Sequence, residues 1–371
     1  MTILLDIIYY TFIVVVSIQV ILYFVFFSRF AFLKPKEIAK KHSPVSVIIC
    51  AKNEAENLQK FLPSIISQDY PNFEIILIND ASRDNTLDVM EQFSKQHPNI
   101  KVVNVENVET FWGNKKYALT LGIKTSKNDL LVFTDADCKP VSKNWIKHIS
   151  AHFTDKQTIV LGYGAYSKIK NSFLNKLIRF ETLIAAIQYF SFAKIGIPYM
   201  GVGRNLAYTR EDFFNANGYT NHIKIPSGDD DLFINQIATK KNTAICFSKE
   251  SFTESIPKTK YRDWYKQKRR HISTAKYYKL KHKILLSIIY ITNFLFWLLA
   301  ITLFVNSHYL LIVIGLFLLR LITQYVIIDF SAKKLNERDI LILLPFLEIF
   351  LIINQFIIFI NNLISKPTHW K

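Results

Sequence analysis

Four long apolar stretches constrain the fold of this chain more than any other feature. They cover residues 7–27, 284–305, 309–328 and 340–364, and the only charged residues within them are Arg320 and Glu348. As a helix, each could cross the roughly 30 Å hydrocarbon core of a bilayer. The first has Asp6 and no basic residue before it, so we expect a membrane helix rather than a cleaved signal peptide. We also expect Arg320 and Glu348 to face each other or a polar acceptor path, because unpaired ions in membrane helices are costly.

Basic residues at the ends of these stretches predict their orientation. They follow the first stretch, precede the second and lie between the third and fourth: Arg29, Lys34, Lys36, Lys40 and Lys41; Arg269, Arg270, Lys276, Lys279, Lys281 and Lys283; Lys333, Lys334 and Arg338. The turn at 306–308 has none, whereas Lys366 and Lys371 weakly oppose the pattern. By the positive-inside rule, residues 30–282 lie in the cytoplasm and the N-terminus outside. We expect a multi-pass protein of the cell (inner) membrane.

The net charge of +17 has two interpretations. A basic chain often binds nucleic acid, but many bases here flank apolar stretches, where anionic lipid headgroups attract them. We therefore expect membrane lipids as partners and no nucleic acid. Cys50, Cys138 and Cys246 show no metal-binding spacing, which is typical of reduced cytoplasmic thiols.

Residues 44–162 alternate short apolar runs with helical patterns. Strands are predicted at 45–50, 74–79, 101–105, 130–134 and 159–161, and helices at 54–68, 86–95 and 115–124. This alternation predicts an α/β domain with a mainly parallel sheet and flanking helices. A longer helix at 173–194 is amphipathic, so it lies either on the membrane surface or in the protein core. We divide the chain into an N-terminal membrane helix (1–30), a cytoplasmic domain with juxtamembrane helices (31–282) and a region of three membrane helices (283–371).

Two carboxylates, Asp135 and Asp137, follow the apolar run 130–133. Ligands of open α/β sheets bind at the carboxyl ends of strands, and oxygen ligands suit a hard divalent cation that can in turn hold a diphosphate. The alternative is an ordinary acidic turn.

Other polar clusters also end strands or begin helices. Asn53 and Glu54 follow the first strand, Asp80 follows the second, and Lys115 lies in the turn-to-helix segment 112–119. Alternatively, Glu54 lies in the first turn of the next helix, where the helix dipole favours a negative charge. A carboxylate at the position of Asp80 can accept a hydrogen bond from a ribose hydroxyl or a base N–H. Lys115 can neutralise phosphate; the alternative is that it simply begins a solvent-exposed helix.

Four segments occur in a recognisable order and spacing. They are Ser-Val-Ile-Ile-Cys-Ala-Lys-Asn-Glu at 46–54, Ile-Asn-Asp-Ala-Ser-Arg-Asp at 78–84, Lys-Lys-Tyr-Ala-Leu at 115–119 and Thr-Asp-Ala-Asp at 134–137. Together they resemble the processive and lipid-linked members of glycosyltransferase family 2, over residues 44 to about 275. The resemblance implies a GT-A fold, and flanking membrane helices are usual in that family.

The resemblance also implies residue roles. Asp80 matches the nucleotide-binding Asp, while Asn79 stands where many members have another Asp; Asp135 and Asp137 match the Asp-x-Asp that holds the metal, Mg²⁺ or Mn²⁺. The full set assigned to the nucleotide-sugar is Asn53, Glu54, Asp80, Lys115, Asp135, Asp137, Gln267 and Arg270. The last two match the Gln-x-x-Arg-Trp motif, in which His271 replaces Trp; a juxtamembrane helix that binds lipid headgroups is the alternative for this segment.

The segment Ser-Gly-Asp-Asp-Asp-Leu at 227–232 provides the candidate general base. Clustered carboxylates can raise a pKa, and acceptor deprotonation needs a carboxylate of tuned pKa; the alternative is a helix cap with solvated acids. Counting back from Leu232 aligns the family's base with Asp229, and Asp230 is the alternative. On the acceptor side the resemblance places Arg204, Asn205 and His271.

The predicted function is inverting transfer of a sugar from a nucleotide-diphospho-sugar, UDP-linked in particular, to a hydroxyl of a glycan or glycolipid in cell-envelope or polysaccharide synthesis. Transfer to a polyprenyl phosphate is the first alternative, with Arg204 and Arg269 as cations near the membrane. A nucleotidyltransferase would need a Gly-rich phosphate loop near the N-terminus, and a non-catalytic scaffold would not need the acidic residues. Four membrane helices are few for a polymer channel, so export would need a homo-oligomer or a partner.

Overall fold

The computed structural model describes residues 2–35, 42–106 and 115–365. Its strands are β1 (Val45–Ala51), β2 (Phe73–Asp80), β3 (Ile100–Val105), β4 (Leu130–Phe133), β5 (Cys138–Pro140), β6 (Ile159–Leu161), β7 (Gly164–Tyr166), β8 (Leu206–Thr209), β9 (Thr243–Ile245) and β10 (Thr253–Ser255). The predicted strands are all present, with slightly different ends. The sequence patterns did not predict β5 or β7–β10, which are three or four residues long and, unlike β4 and β6, are not continuous runs of large apolar residues.

The α-helices fall into a membrane set and a set around the sheet. They are α1 (Thr2–Ile21), α2 (Ser28–Ala31), α3 (Ala55–Ile66), α4 (Thr86–Gln96), α5 (Lys115–Thr125), α6 (Trp145–Ser150), α7 (Phe173–Lys194), α8 (Arg210–Asn215), α9 (Asp231–Ile237), α10 (Tyr261–Ile272), α11 (Leu280–Val305), α12 (Leu310–Leu335) and α13 (Leu344–Ile364). A π-helical turn, Leu22–Phe27, joins α1 to α2, and a 3₁₀ segment, Arg338–Leu343, precedes α13.

The seven-stranded main sheet has the order β3-β2-β1-β4-β8-β6-β9. Strands β1 to β4 pair in parallel, with Ala51 opposite Asn79 and Ile48 opposite Phe133. Strand β8 runs antiparallel to β4, with Leu206 opposite Phe133. The carboxyl ends of β1, β2 and β4 therefore meet the start of β8 at one edge of the sheet.

Alternation along the strands distributes apolar side chains to both faces. On β1, Ile48 packs in a core shared with α5 and α7, whereas Val47 and Ile49 pack in a second core with α3 and α6. All three side chains are buried. Burial on both faces explains why these strands read as continuous apolar runs rather than alternating ones.

Four helices are long and apolar enough to cross a membrane: Ile3–Ala31, Leu280–Val305, Leu310–Leu335 and Arg338–Ile364. They coincide with the four stretches found in the sequence. Arg320 and Glu348 form the expected ion pair, with Arg320 Nη2 2.6 Å from Glu348 Oε1. Gln19, Asn293 and other polar side chains complete a buried network around Arg320 that involves all four helices.

Two junctions define the ends of the helical bundle. At one end His308, between α11 and α12, lies 2.9 Å from Asp6 near the start of α1. At the other end Arg179 on α7 donates to Glu337 (2.8 Å) and Asp339 (2.9 Å), between α12 and α13. Helix α7 is largely buried and contacts α2, α12 and α13, so the core alternative describes this helix better than a surface one.

Candidate active site

A large cleft opens at the sheet edge where β1, β2 and β4 end. Its volume is about 1260 Å³, and its wall runs from Asp80 past Asp135 and Asp229 to Leu286 on α11. The cleft therefore extends from the strand ends to the first helix of the C-terminal membrane region. Parallel strands that share a register bring their terminal polar residues together in this way.

Asp80 lies at the innermost part of this edge. Its side chain is buried, and Lys52 Nζ lies 3.8 Å from Asp80 Oδ2. Burial raises the pKa of the Asp80 carboxyl, and Lys52 and Lys115 oppose this rise. Among the described residues Oδ2 has no hydrogen-bond partner, which leaves a buried acceptor for a ligand.

The loops that follow β1 and β2 are bonded to each other. Asn53, with φ of 55°, accepts from Arg83 N through Oδ1 at 2.8 Å, and Asp84 Oδ2 accepts from Ala55 N at 3.3 Å. Glu54 Oε2 accepts from Asn57 Nδ2 at 2.5 Å. Asn53 and Glu54 both line the cleft, so the loops form a preorganised floor.

Asn79 is oriented towards its neighbours in the fold. Its Nδ2 donates to Asn104 Oδ1 at 2.7 Å, and its Oδ1 accepts from Ser82 N at 3.3 Å. The acidic character of this strand end therefore comes from Asp80.

Asp135, Asp137 and Cys138 bring their ligand atoms within 4.8 Å of one another. Burial raises the pKa of the Asp137 carboxyl, and the Asp135 carboxylate beside it raises that pKa further. Burial also raises the pKa of the Cys138 thiol well above its ordinary value, so Cys138 stays a neutral neighbour. Carboxylate oxygens are the ligands that hard divalent cations prefer, so Asp135 and Asp137 fit Mg²⁺ or Mn²⁺.

Lys115 links the two acidic groups of the cleft. Its Nζ lies 2.9 Å from Asp135 Oδ1 and 3.0 Å from Asp229 Oδ2. Burial favours a higher pKa for Asp135, but Lys115, Arg204 and Arg270 together hold that pKa below its ordinary value. The preceding part of the predicted segment, Trp112 to Asn114, lies outside the described residues.

The three consecutive aspartates have distinct surroundings. Asp229 pairs with Lys115, whereas Asp230 caps α9 and accepts from Asp231 N and Gly203 N, both at 2.7 Å. Burial, Asp229 and Asp231 together raise the pKa of Asp230 to about 7. Asp231 accepts hydrogen bonds from Tyr278 Oη at 2.6 Å and from the Thr274 hydroxyl. Its carboxylate therefore has a structural role.

Helix α10 supplies Gln267, Arg270 and His271 to the cleft wall. Burial lowers the pKa of Arg270, and Asp229 and Asp135 oppose this effect, which places its guanidinium in the field of both acidic groups. Arg269 also lines the cleft, and its side chain donates to Asn362 Oδ1 at 2.9 Å, beside the end of α13.

The two remaining residues of the predicted acceptor side differ. Arg204 lines the cleft, stacks 4.1 Å from the Tyr166 ring and donates to Ser255 Oγ at 2.8 Å. Asn205 is fully buried and donates to the carbonyl oxygens of Tyr163 (2.9 Å) and Ser251 (2.7 Å). These bonds engage the amide of Asn205 within the protein, and its predicted place on the acceptor side stays a prediction.

Sequence reasoning missed two lysines of this region. Lys52 precedes Asn53 in the first motif and reaches Asp80. Lys116 is buried below the loop that leads to Asp229, and its adjacency to Lys115 in the third motif was the only signal for it.

A mainly parallel sheet with an acidic carboxyl edge and an added antiparallel strand defines a GT-A fold. Among solved structures, the chain is similar to a mannosyltransferase from Pyrobaculum calidifontis, determined with GDP-Man and Mn²⁺. The TM-score is 0.58 at 18% identity, and the match covers 89% of this chain and 98% of that one. At this identity the likeness shows the fold.

Comparison with known sequences finds similarity to glycosyltransferases. Residues 46–217 match the model of glycosyl transferase family 2. Glycosyltransferase AglE of Haloferax volcanii is 35% identical over 105 residues, which are 28% of this chain and 33% of that protein. Poly-beta-1,6-N-acetyl-D-glucosamine synthase of Staphylococcus epidermidis is 34% identical over 119 residues, 31% of this chain and 28% of that protein. The chain thus spans about a third of these relatives, and its residues 46–217 are similar to glycosyl transferase family 2.

Proposed function

We propose that this protein is a membrane-bound inverting glycosyltransferase that uses a nucleotide-diphospho-sugar, with UDP as the nucleotide, and glycosylates a hydroxyl of a glycan or glycolipid. The observation that carries the proposal is the convergence in one cleft of Asp80, the pair Asp135 and Asp137, and Asp229. Each offers the chemistry that one part of the reaction needs.

The donor would lie along the sheet edge. Asp80 offers a buried acceptor to the nucleoside, and Asn53 and Glu54 lie on the floor beside it. Asp135 and Asp137 would hold Mg²⁺ or Mn²⁺, which as a Lewis acid offsets the charge on the diphosphate leaving group. Arg270 and Gln267 on α10 face the same cleft, and a guanidinium suits phosphate oxygens.

The acceptor hydroxyl would be deprotonated by Asp229. Its carboxylate is close to that of Asp135, because the ammonium group of Lys115 contacts both. Asp230, the alternative base, already receives two backbone N–H groups, an arrangement that suits a cap. The deprotonated oxygen attacks the anomeric carbon while the bond to the diphosphate breaks, so a single displacement inverts the configuration.

Transfer to a polyprenyl phosphate is the second candidate. The cleft reaches Leu286 on α11, and Lys258 and Lys266 also line it, so an anionic lipid could enter from the membrane side. A phosphate acceptor carries its own charge and needs little from a base. Dependence of turnover on Asp229 would favour the hydroxyl acceptor, and independence would favour the phosphate.

The test is release of UDP by the purified protein against a panel of UDP-sugars, with Mn²⁺ or Mg²⁺ and with the product identified by mass spectrometry. We expect one donor to be consumed only with metal present. Asp137→Asn should abolish this turnover, whereas Asp155→Asn, on an exposed loop, should not. Absence of turnover with every nucleotide-sugar, or full activity of Asp137→Asn, would contradict the proposal.

A further inference from the structure

Lys116 is a buried cation that the reaction described above does not use. Only 1% of its surface is exposed, although it directly follows Lys115 at the start of α5. Its Nζ donates to three backbone carbonyl oxygens: His222 at 2.7 Å, Ile225 at 3.0 Å and Ser227 at 2.8 Å. All three belong to the loop that leads into the acidic segment.

These bonds use the whole donor capacity of the side chain, because an ammonium group has three N–H bonds. Burial of an ammonium is costly and is offset only by good partners. Burial lowers the pKa of Lys116 to about 8, while Asp229, Asp231 and Asp230 oppose the change. An apolar side chain of similar length would fill the volume without that cost, so filling space does not explain the lysine.

Other contacts also hold this loop: Ile223 and Ile225 pack against the core, and Ile225 N donates to His222 O at 3.1 Å. Between the 3₁₀ turn Thr220–His222 and α9, it contains no strand or helix in the described structure. It ends at Gly228, whose φ of 92° sets the direction of the chain just before Asp229. A displacement of the carbonyl groups at 225 and 227 would therefore change the position of the Asp229 carboxylate.

We propose that Lys116 is a positioning residue for the general base: by bonding three loop carbonyls, it fixes the backbone that carries Asp229. Helix α5 then holds the base from two sides, since Lys115 contacts the Asp229 carboxylate and Lys116 contacts the loop before it. This inference rests on the proposed function. Lys116 acts through the loop and contacts neither donor nor acceptor.

The experiment compares Lys116→Met with Lys116→Arg and with Lys124→Met, an exposed lysine on the same helix. Sites are counted by calorimetric titration with UDP and the metal, and kcat is expressed per UDP-binding site. We expect Lys116→Met to bind UDP like the wild type and to lower kcat by about 10- to 100-fold, the scale of a 1 Å misplacement. The Arg variant should recover part of kcat, and Lys124→Met should match the wild type.

A purely structural role would lower the number of folded sites and leave kcat per site unchanged, which would overturn the inference. An equal loss of UDP affinity would also overturn it, because the effect would then lie on the donor side. Should Lys116→Met not fold, Lys116→Gln, with two donors, is compared in the same way, and wild-type kcat per site contradicts the proposal. A wild-type protein that binds UDP but transfers no sugar would contradict the proposed function instead.

Discussion

Single carboxylates in the cleft differ in how their oxygens are bonded, and these differences suit different tasks. Asp231 receives hydroxyl groups from Thr274 and Tyr278, between α10 and α11, and Asp230 receives backbone N–H groups. Asp229 instead contacts Lys115, whose charge the donor diphosphate would also attract. This contact gives Asp229 a neighbour that can change when the donor binds.

Replacement of each aspartate by asparagine should show which of Asp229 and Asp230 is the general base. Asp229→Asn should lower kcat by roughly 10²- to 10⁴-fold, the usual contribution of a positioned general base, with little change in donor affinity. Asp230→Asn should cause a milder loss. Steady-state kinetics with both substrates varied provide the measurement. Equal small losses in the two variants would argue against base catalysis and in favour of a phosphate acceptor.

The pKa of Asp230 predicts a dependence of stability on pH. It is about 7 in the folded protein and about 4 in an unfolded chain, so between these values the folded state binds more protons. The contribution of Asp230 to the free energy of unfolding is present below pH 4 and is lost as pH rises through 7. Thermal unfolding without metal should show a smaller decrease in Tm from pH 5 to 8 for Asp230→Asn than for the wild type. Identical slopes would contradict the burial of this charge.

Among the structural elements, those with a clear hydrophobic pattern could be predicted from the sequence. The parallel strands, α3 to α5, α7 and the membrane helices followed from apolar periodicity and length. The pairing of Arg320 with Glu348 could also be predicted, because both are ionisable residues within membrane helices. The contacts of Lys116 could not, because it bonds backbone carbonyl groups more than a hundred positions away, and no residue type marks such partners.

Helix α10 is bonded along one face to α13. Tyr261 contacts Asn354, Tyr265 contacts Asn361, and Arg269 contacts Asn362, at helical spacing along α10. Since α10 also carries Gln267 and Arg270, this row of contacts connects the last membrane helix to the cleft.

Removal of the Arg269 contact should therefore weaken both stability and turnover. A hydrogen bond to a charged group contributes about 1.5–3 kcal/mol, and partial exposure of Arg269 places the loss at the lower end. Arg269→Gln should lower Tm and kcat, whereas Arg262→Gln, exposed on the same helix, should change neither. Differential scanning fluorimetry and the UDP-release assay provide both readouts. Unchanged values for Arg269→Gln would mean that α10 is held by other contacts.

The cleft and the turn at 336–343 lie at one end of the helical bundle, and the start of α1 and the turn at 306–309 lie at the other. We propose, from the distribution of Lys and Arg, that the end with the cleft faces the cytoplasm. A cysteine at Ser307 should react with an impermeant reagent in intact cells, and one at Asn336 should not. The reverse labelling pattern would overturn the proposed orientation.

In the proposed reaction, this cleft transfers a sugar with departure of a nucleoside diphosphate and inversion at the anomeric carbon. The most direct measurement is product analysis after turnover of an α-linked UDP-sugar, with UDP quantified and the product examined by mass spectrometry and NMR. We predict equal amounts of UDP and glycosylated acceptor, with the new bond in the β configuration. A product that retains phosphate from the donor, or an α-linked product, would contradict the account.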